Sequence, residues 1–342
     1  MDDPNPSSLT ATIRDQKATM TRLRIAYMYY VESMTQSDIA ERLGIGRVTV
    51  VRHLTEARAN REVRFWIEGA LSDCAALEVR LERVLGLTRA VVSPAAADPR
   101  DTARLIGFNA GIHVSELLAD GMRIGLGWGR TLHHALDTLS RPGLRDMSVV
   151  SLLGGVQHAR AHNPAEFAWR VASAIDADCH LFTAPALVDS AETRAALFER
   201  CGLGRIVERA RDLDLALVGV GSVAPTSTAL SYAREMIGRD IGPELLAAGA
   251  VGDLFFNYFN AEGALVDHPV NARVMSAPLS VVRTAHRRVI AAGGAEKVEA
   301  IIAACRMLTA TALITDETTA AMILARVAPP PGAGNDQTEH PS

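Results

Sequence analysis

Aromatic side chains are scarce in this chain of 342 residues, at 5%. Its apolar content of 48% is carried mostly by Ala, Val, Leu and Ile. These are the residues of aliphatic strands and Ala-rich helices, and they favour an α/β core. Cysteine is thin as well: Cys74, Cys179, Cys201 and Cys305 stand far apart, with no CxxC pair. That spacing excludes zinc-ribbon and thioredoxin-like chemistry and predicts reduced, buried thiols in a cytoplasmic protein. No apolar run is long enough to span a bilayer. The opening MDDPNPSSLT lacks the basic patch and apolar block of a secretory signal. There is no repeat of fixed period. At 22% charged residues the balance is that of a globular rather than a disordered chain.

What is present is unevenly placed. Net charge is −4, yet residues 10–67 carry ten Lys or Arg against six Asp or Glu. A basic head on an acidic body fits a nucleic-acid-binding module joined to a second function. Composition and pattern divide the chain into a disordered lead at 1–17, a head at 18–68, a larger body at 69–327 and a disordered tail, APPPGAGNDQTEHPS, at 328–342.

The head reads as three helices. The first is expected over 21–32, with Leu23, Ala26, Tyr27 and Tyr30 on its inner face. Thr35 stands three residues before Asp38, a capping box that opens a second helix running to Leu43. On it Ile39, Ala40 and Leu43 face inward, and Gly44 permits the tight turn at its end. Ile45 then plugs the core. A third helix starts near Arg47 and reaches about Ala59, with Val48, Val51 and Leu54 at core spacing. A short helix, a Gly-containing turn and a helix able to enter the major groove make a helix-turn-helix. The candidate base contacts are then Arg47, Thr49, Val50, Arg52 and His53. Arg donates twice to guanine, and the methyls of Thr and Val touch thymine. Gln36 and Ser37, opening the preceding helix, are candidate phosphate contacts. Residues 63–67 alternate like a strand and are expected to form a wing. The competing reading is a helical bundle used for dimerisation.

In the body, short aliphatic runs ending in Gly or polar residues alternate with helix-like stretches. They are MRIGLGWG from Met122, MSVVSLLGG from Met147, DLALVGVGS from Asp214 and RRVIAAGG from Arg287. This predicts a Rossmann-like, doubly wound parallel sheet covered on both faces. Ligands of such folds bind at the C-terminal ends of the strands. There Gly127, Trp128, Gly129, Arg130 and Thr131 follow a strand and open a helix. Backbone N–H groups, the helix N-terminus and the Thr131 hydroxyl together suit an anion. Arg130 adds charge or lies outside on the surface. The alternative is an ordinary strand–helix turn with Trp128 as a packing plug.

Seven segments carry a family resemblance in consistent order: TQSDIAERLGIGRVTVVRHLTEAR at 35–58, GLGWGRTL at 125–132, LLGG at 152–155, LVGVGS at 217–222, GDLFFNYFNAEG at 252–263, GGAEKVEAIIAACR at 293–306 and LITDETTA at 313–320. The chain resembles the SorC family of sugar-responsive regulators, sometimes grouped with the DeoR type. The resemblance implies a winged-type helix-turn-helix joined to an effector-binding and oligomerisation domain. That domain is similar in fold to glucosamine-6-phosphate deaminase and ribose-5-phosphate isomerase. It implies a cytoplasmic regulator, more often a repressor, of carbohydrate or polyol catabolism. The implied partners are double-stranded operator DNA, a small sugar, sugar phosphate or polyol, and further copies of the chain, commonly in a tetramer, with a dimer as the alternative.

The effector site is expected to combine the 127–131 loop with Gly155 and Gln157 after the LLGG run, with Gly221 and Ser222, with Asp253, Asn257 and Asn260, and with Lys297. Carboxylate and amide groups suit carbohydrate hydroxyls, and a Lys neutralises a phosphate. Family members often carry Asp where this chain has Asn260. The 127–131 loop is poorer in Ser and Thr than its counterparts in sugar-phosphate domains, which leaves a free polyol open beside a phosphate. In the related deaminases an acidic residue follows the GVG turn; here Ser222, Val223 and Ala224 do. General acid–base work needs a titratable group there, so the reading is binding without turnover. The alternatives are a sugar-phosphate isomerase or deaminase with an N-terminal extension, and a body that only assembles subunits. His133 and His134 lack the spacing of a metal pair, and neither a metal nor a cofactor is expected.

Overall fold

The computed structural model describes residues 6–60, 62–63, 72–156 and 163–327. It divides into two compact units, Met1–Gly69 and Ala70–Ser342. The expected tail at 328–342, the expected wing beyond Val63, and Gln157 lie outside the described residues.

The first unit has three helices, α1 (Pro6–Tyr30), α2 (Gln36–Leu43) and α3 (Arg47–Ala59). The first begins at Pro6 rather than Thr21, so part of the expected disordered lead is helical. Thr35 caps α2 as expected. Its hydroxyl accepts from the Asp38 N–H at 3.2 Å, and its own N–H donates to Asp38 Oδ2 at 3.3 Å. Gly44 ends α2 in the left-handed region at φ 65°, where a Cβ would be strained. The core is Ile25, Ala26, Met28, Ile39, Val50, Leu54 and Ala57, with Ala40, Leu43 and Ile45 packed against it. Burying each large aliphatic chain is worth about 1.5–3 kcal/mol.

This core corrects two helix faces. Leu23 and Tyr27 are exposed, and Ile25 and Met28 are buried in their place. On α3 the inward set is Val50, Leu54 and Ala57, while Val48 is 83% exposed and Val51 is also outside. Three valines lie within four residues, so apolar identity alone fits either phase. The i, i+4, i+7 set wins because it faces both α1 and α2.

The second unit opens with α4 (Ser72–Leu85), β1 (Arg89–Ser93), α5 (Thr102–Leu117), β2 (Arg123–Leu126) and the single turn α6 (Arg130–His133). Next come β3 (Ser148–Ser151), α7 (Pro164–Ala174), β4 (Asp178–His180), α8 (Ala191–Arg200), α9 (Gly204–Arg209) and β5 (Leu215–Val218). Then follow β6 (Gly221–Ser222), α10 (Thr228–Ile237), α11 (Gly242–Ala247), β7 (Gly252–Leu254), β8 (Asn257–Phe259) and α12 (Leu279–Val282). The last elements are β9 (Arg287–Ala291), α13 (Val298–Leu308), β10 (Ala312–Asp316) and α14 (Glu317–Val327).

Seven strands form one parallel sheet in the order β1-β10-β9-β5-β2-β3-β4. Alternate residues feed two cores. Ile124, Leu126, Leu215, Leu217, Val289 and Ile314 face the layer that holds Ile106 and Val114 of α5 and Phe167 of α7. Ala216, Val218, Ile290 and Leu313 face the layer that holds Leu81 of α4, Ile301 of α13 and Leu324 of α14. Both faces are covered, as a doubly wound sheet requires. From β2 the chain steps outward to β3 and β4, then returns to lay β5 on the other side of β2. The strand order therefore reverses between β2 and β5, and the crevice above their C-terminal ends is the switch point of the fold. A small antiparallel sheet, β6-β7-β8, stands beside that crevice.

Candidate functional site

At the head, α3 presents Arg47, Val48, Val51 and Arg52 outward. Of the expected base contacts, Arg47 and Arg52 are exposed and Thr49 is half-buried. His53 is mostly covered and faces Glu56 at 3.5 Å. Val50 is fully buried and cannot touch a base; the valines exposed on this face are Val48 and Val51. Gln36 and Ser37 open α2, and Arg47 Nε donates to Gln36 Oε1 at 3.4 Å. Arg22 anchors the base of the unit through an ion pair with Glu62, donating from Nε at 2.7 Å.

In the body, a cleft of about 240 Å³ lies at the switch point. It gathers Trp128, Gly129, Arg130 and Thr131 from the β2 loop, Gly219 to Ser222 from the β5 loop, Asp253 and Phe255 from the small sheet, and Glu296 and Lys297 from the β9 loop. Eight of the thirteen expected effector residues thus meet in one place. Gly127 lies beneath: a Cβ there would fall 2.7 Å from Phe255 Cε1, so the loop needs glycine to let that ring through. Gly155 instead bridges to Pro185. Asn257 opens β8 and Asn260 follows it, and both side chains bond to neighbouring turns. Asn257 Nδ2 donates to Leu254 O at 3.0 Å and Ser276 Oγ at 3.0 Å, and Asn260 Oδ1 accepts from Ala264 N at 2.9 Å.

Two expectations about this cleft change. The helix after the β2 loop is one turn long, too short to lend a useful dipole. A longer helix does so instead. The ten-residue α10 starts at the cleft, where Thr226, Ser227 and Thr228 line the wall and Ser227 caps the helix by accepting from Leu230 N. Its N-terminus and the hydroxyls around it are features that suit an anion. The sequence signal was there in PTST ahead of an apolar-periodic stretch, a helix start with an unusual density of hydroxyls.

The second change concerns acid–base chemistry. No acid follows the GVG turn in sequence, but Asp253 reaches it across the β6–β7 ladder, where Gly221 and Asp253 are partners. A Cβ at 221 would fall 1.9 Å from Asp253 Oδ1. Asp253 is 3% exposed, and burial pushes its carboxyl up to about 6, opposed by the Phe256 N–H and by Lys297. Oδ2 accepts from Phe256 N at 3.0 Å, whereas Oδ1 accepts nothing among the described residues. Burial and Arg130 hold Lys297 below the usual lysine range, and Glu296 and Asp253 resist that shift. A titratable group does stand at the turn, so its absence is no argument against catalysis.

The turn that follows Asp253 and β7 is strained. Phe255 and Phe256 both have positive φ, at 55° and 65°, a conformation that favours Asn or Gly. Phe256 stacks on Trp128 with ring centroids 5.2 Å apart, and Tyr232 packs on the same indole at 5.3 Å. Trp128 is thus both packing plug and cleft wall.

Among the described residues no three His, Cys, Asp or Glu side chains are grouped to hold a metal. Cys74 and Cys305 are buried as expected, Cys179 is half-buried, and Cys201 is exposed. No described helix is long and apolar enough to cross a membrane.

Residues 70–325 match the family profile described as "Putative sugar-binding domain". Over 305 residues the chain is 30% identical to the erythritol catabolism regulatory protein EryD of Brucella abortus (strain 2308), covering 88% of this chain and 95% of that protein. The full-length sorbitol operon regulator SorC from Klebsiella pneumoniae superposes with a TM-score of 0.70 at 28% identity, over 90% of this chain and 99% of that one. The chain belongs to the SorC family of sugar-binding transcriptional regulators. The deoxyribonucleoside regulator of Bacillus subtilis (strain 168) is a further SorC-like relative, 29% identical over 90% of this chain and 97% of its own. Like these relatives, this SorC-family chain is a DNA-binding, sugar-responsive transcriptional regulator and not an enzyme. The relatives exclude the enzyme reading; the residues after the GVG turn do not.

Proposed function

We propose that this chain represses a carbohydrate or polyol catabolic operon from the cytoplasm, as a homo-oligomer, and that a small hydroxylated effector bound in the switch-point cleft relieves repression. The observation that carries this reading is Asp253: a buried carboxylate with one oxygen unpartnered among the described residues, in a cleft that also offers Lys297 and Arg130. A ligand hydroxyl donating to Oδ1 satisfies it, and the cationic groups with the α10 N-terminus take an anionic or strongly polar end. A cleft of about 240 Å³ is at the small end for ligand sites and suits one monosaccharide or short polyol. At the head, Arg47 and Arg52 read base edges or phosphates, Val48 and Val51 contact thymine methyls, and Gln36 and Ser37 hold phosphate. Paired heads must match half-site spacing, so an effector that prefers one quaternary arrangement shifts operator affinity.

The test uses the purified full chain. Erythritol, sorbitol, deoxyribonucleosides, and pentose and hexose phosphates are screened by thermal shift, and hits are carried into operator-fragment anisotropy. A true effector at a hundred times its Kd adds about 2.7 kcal/mol of apparent stability and weakens operator binding. Ligands that stabilise the chain but leave operator affinity and assembly unchanged would refute the gating scheme.

A further inference from the structure

Lys297 is delivered to the cleft by a loop that is fastened from behind. After β9 the chain passes Gly293, where a Cβ would fall 2.4 Å from Asp316 Oδ2 and 2.4 Å from Ile106 Cδ1. It then turns at Gly294, with φ 118°. Gly294 N donates to Thr319 Oγ1 at 2.8 Å. The Thr319 hydroxyl in turn donates to Asp316 Oδ2, and Thr319 N donates to Asp316 Oδ1 at 3.0 Å. Asp316 and Thr319 are 4% and 1% exposed. Lys297 N closes the turn on Gly294 O at 2.9 Å, so the fastened residue and the cleft lysine belong to one tight loop.

An ordinary helix cap explains half of this. Asp316 precedes α14, and its Oδ1 accepts a first-turn N–H as capping residues do. Capping requires neither the second oxygen nor the Thr319 hydroxyl, and both are used to hold the neighbouring strand's loop. Such a chain of donors polarises along its length and fixes its members in one geometry.

We propose that Asp316 and Thr319 are positioning residues of the effector site, latching the Gly293–Gly294 turn so that Lys297 is held in the cleft. This rests on the cleft being the effector site, but the latch itself is testable without an effector. Lys297 and Lys17 are the chain's two lysines. Lys17 is exposed and serves as an internal reference. Full-length protein is pulsed with acetic anhydride, and the Lys297 to Lys17 acetylation ratio is read by peptide mass spectrometry.

In Thr319→Val the ratio should rise about fivefold, the effect of losing one hydrogen bond worth roughly 1 kcal/mol. Thr319→Ser keeps the hydroxyl and should restore the wild-type ratio. Asp316→Asn keeps an acceptor for the Thr319 N–H but sets an amide donor against the Thr319 hydroxyl, which can still accept from Gly294 N, so the ratio should rise above wild type but less than in Thr319→Val. If Asp316→Asn and Thr319→Val, folded by near-ultraviolet circular dichroism, both leave the ratio at the wild-type value, Asp316 is a helix cap only and the proposal is wrong. Should Thr319→Val fail to fold, Asp316→Asn decides alone. Failure of the effector reading appears elsewhere: Lys297→Met would leave every ligand-induced thermal shift intact, whatever the acetylation ratio.

Discussion

Replacing Asp253 by Asn should make the ligand-free body more stable above pH 7 and, in the same stroke, deaf to its effector. In the folded body the Asp253 carboxyl stands at about 6, against 3.8 for an ordinary aspartate. A raised acid contributes no penalty below about pH 3, where both states are protonated. As pH climbs from about 4 to about 6 the unfolded chain ionises first and stability is lost; above that the loss is constant. The full loss is about 3 kcal/mol, with roughly half of it between pH 5 and 7.5. Asn does not titrate. It keeps an acceptor for the Phe256 N–H but leaves an amide donor unpaired, at a cost of about 1 kcal/mol. The net gain at pH 7.5 is then about 2 kcal/mol, or about 4 °C in Tm for a body of this size. Urea unfolding of both proteins from pH 4.5 to 7.5, followed by body-sensitive near-ultraviolet circular dichroism, measures the difference. Parallel stability curves for the two proteins would show that Asp253 does not titrate as its burial demands.

Other expectations follow from the same geometry. Gly221→Ala places a Cβ where Asp253 Oδ1 now sits, 1.9 Å away, so ligand-induced thermal shifts should vanish while operator binding by the head persists. Leu54→Ala opens the head core and should cost about 2–5 kcal/mol of head stability, seen as lost helicity and lost operator binding. Val48→Ala, on the outward face, should change stability by no more than about 0.5 kcal/mol yet alter affinity for operators differing at thymines; the reverse pattern would restore the sequence-based phase of α3. Arg47→Ala and Arg52→Ala should each weaken operator binding by about 1–3 kcal/mol when the lost contact is to a base edge, or lower the salt slope by about one when it is to phosphate. Titrations at several salt concentrations separate the two.

The sequence carried the architecture well because its signals are local. A capping box, a Gly-terminated helix and aliphatic runs of four or five residues each act within a few positions, and β2, β3, β5 and β9 all fall where those runs lie. The helix phases in the head were less legible. Val48, Val50 and Val51 are equally apolar, and only the packing of α3 against two other helices chooses Val50. In the cleft, the 127–131 loop and Lys297 were readable from glycine-rich strand ends. The pairing of Gly221 with Asp253 was not, because it depends on the antiparallel register of a three-stranded sheet that no short motif announces. Asn257 and Asn260 have the right chemistry for a sugar, but Asn257 is spent on holding the turn with the two left-handed phenylalanines and Asn260 on the next turn, at Ala264.

The order of strands in the large sheet also bears on how the protein is made. The head completes its core from residues close together in sequence, and it leaves the ribosome before the body does. Its neighbour cannot do likewise: β1 pairs with β10, the last strand described, and β9 must slot between β10 and β5 before Lys297 reaches the cleft. Non-local parallel pairing of this kind is slow. A nascent or prematurely stopped chain that ends before β9 therefore carries the outward face of α3 without a finished cleft. Nonsense and frameshift alleles that stop the chain before β9 leave the three-helix core of the head complete while the large sheet lacks β9 and β10 and the cleft lacks Lys297.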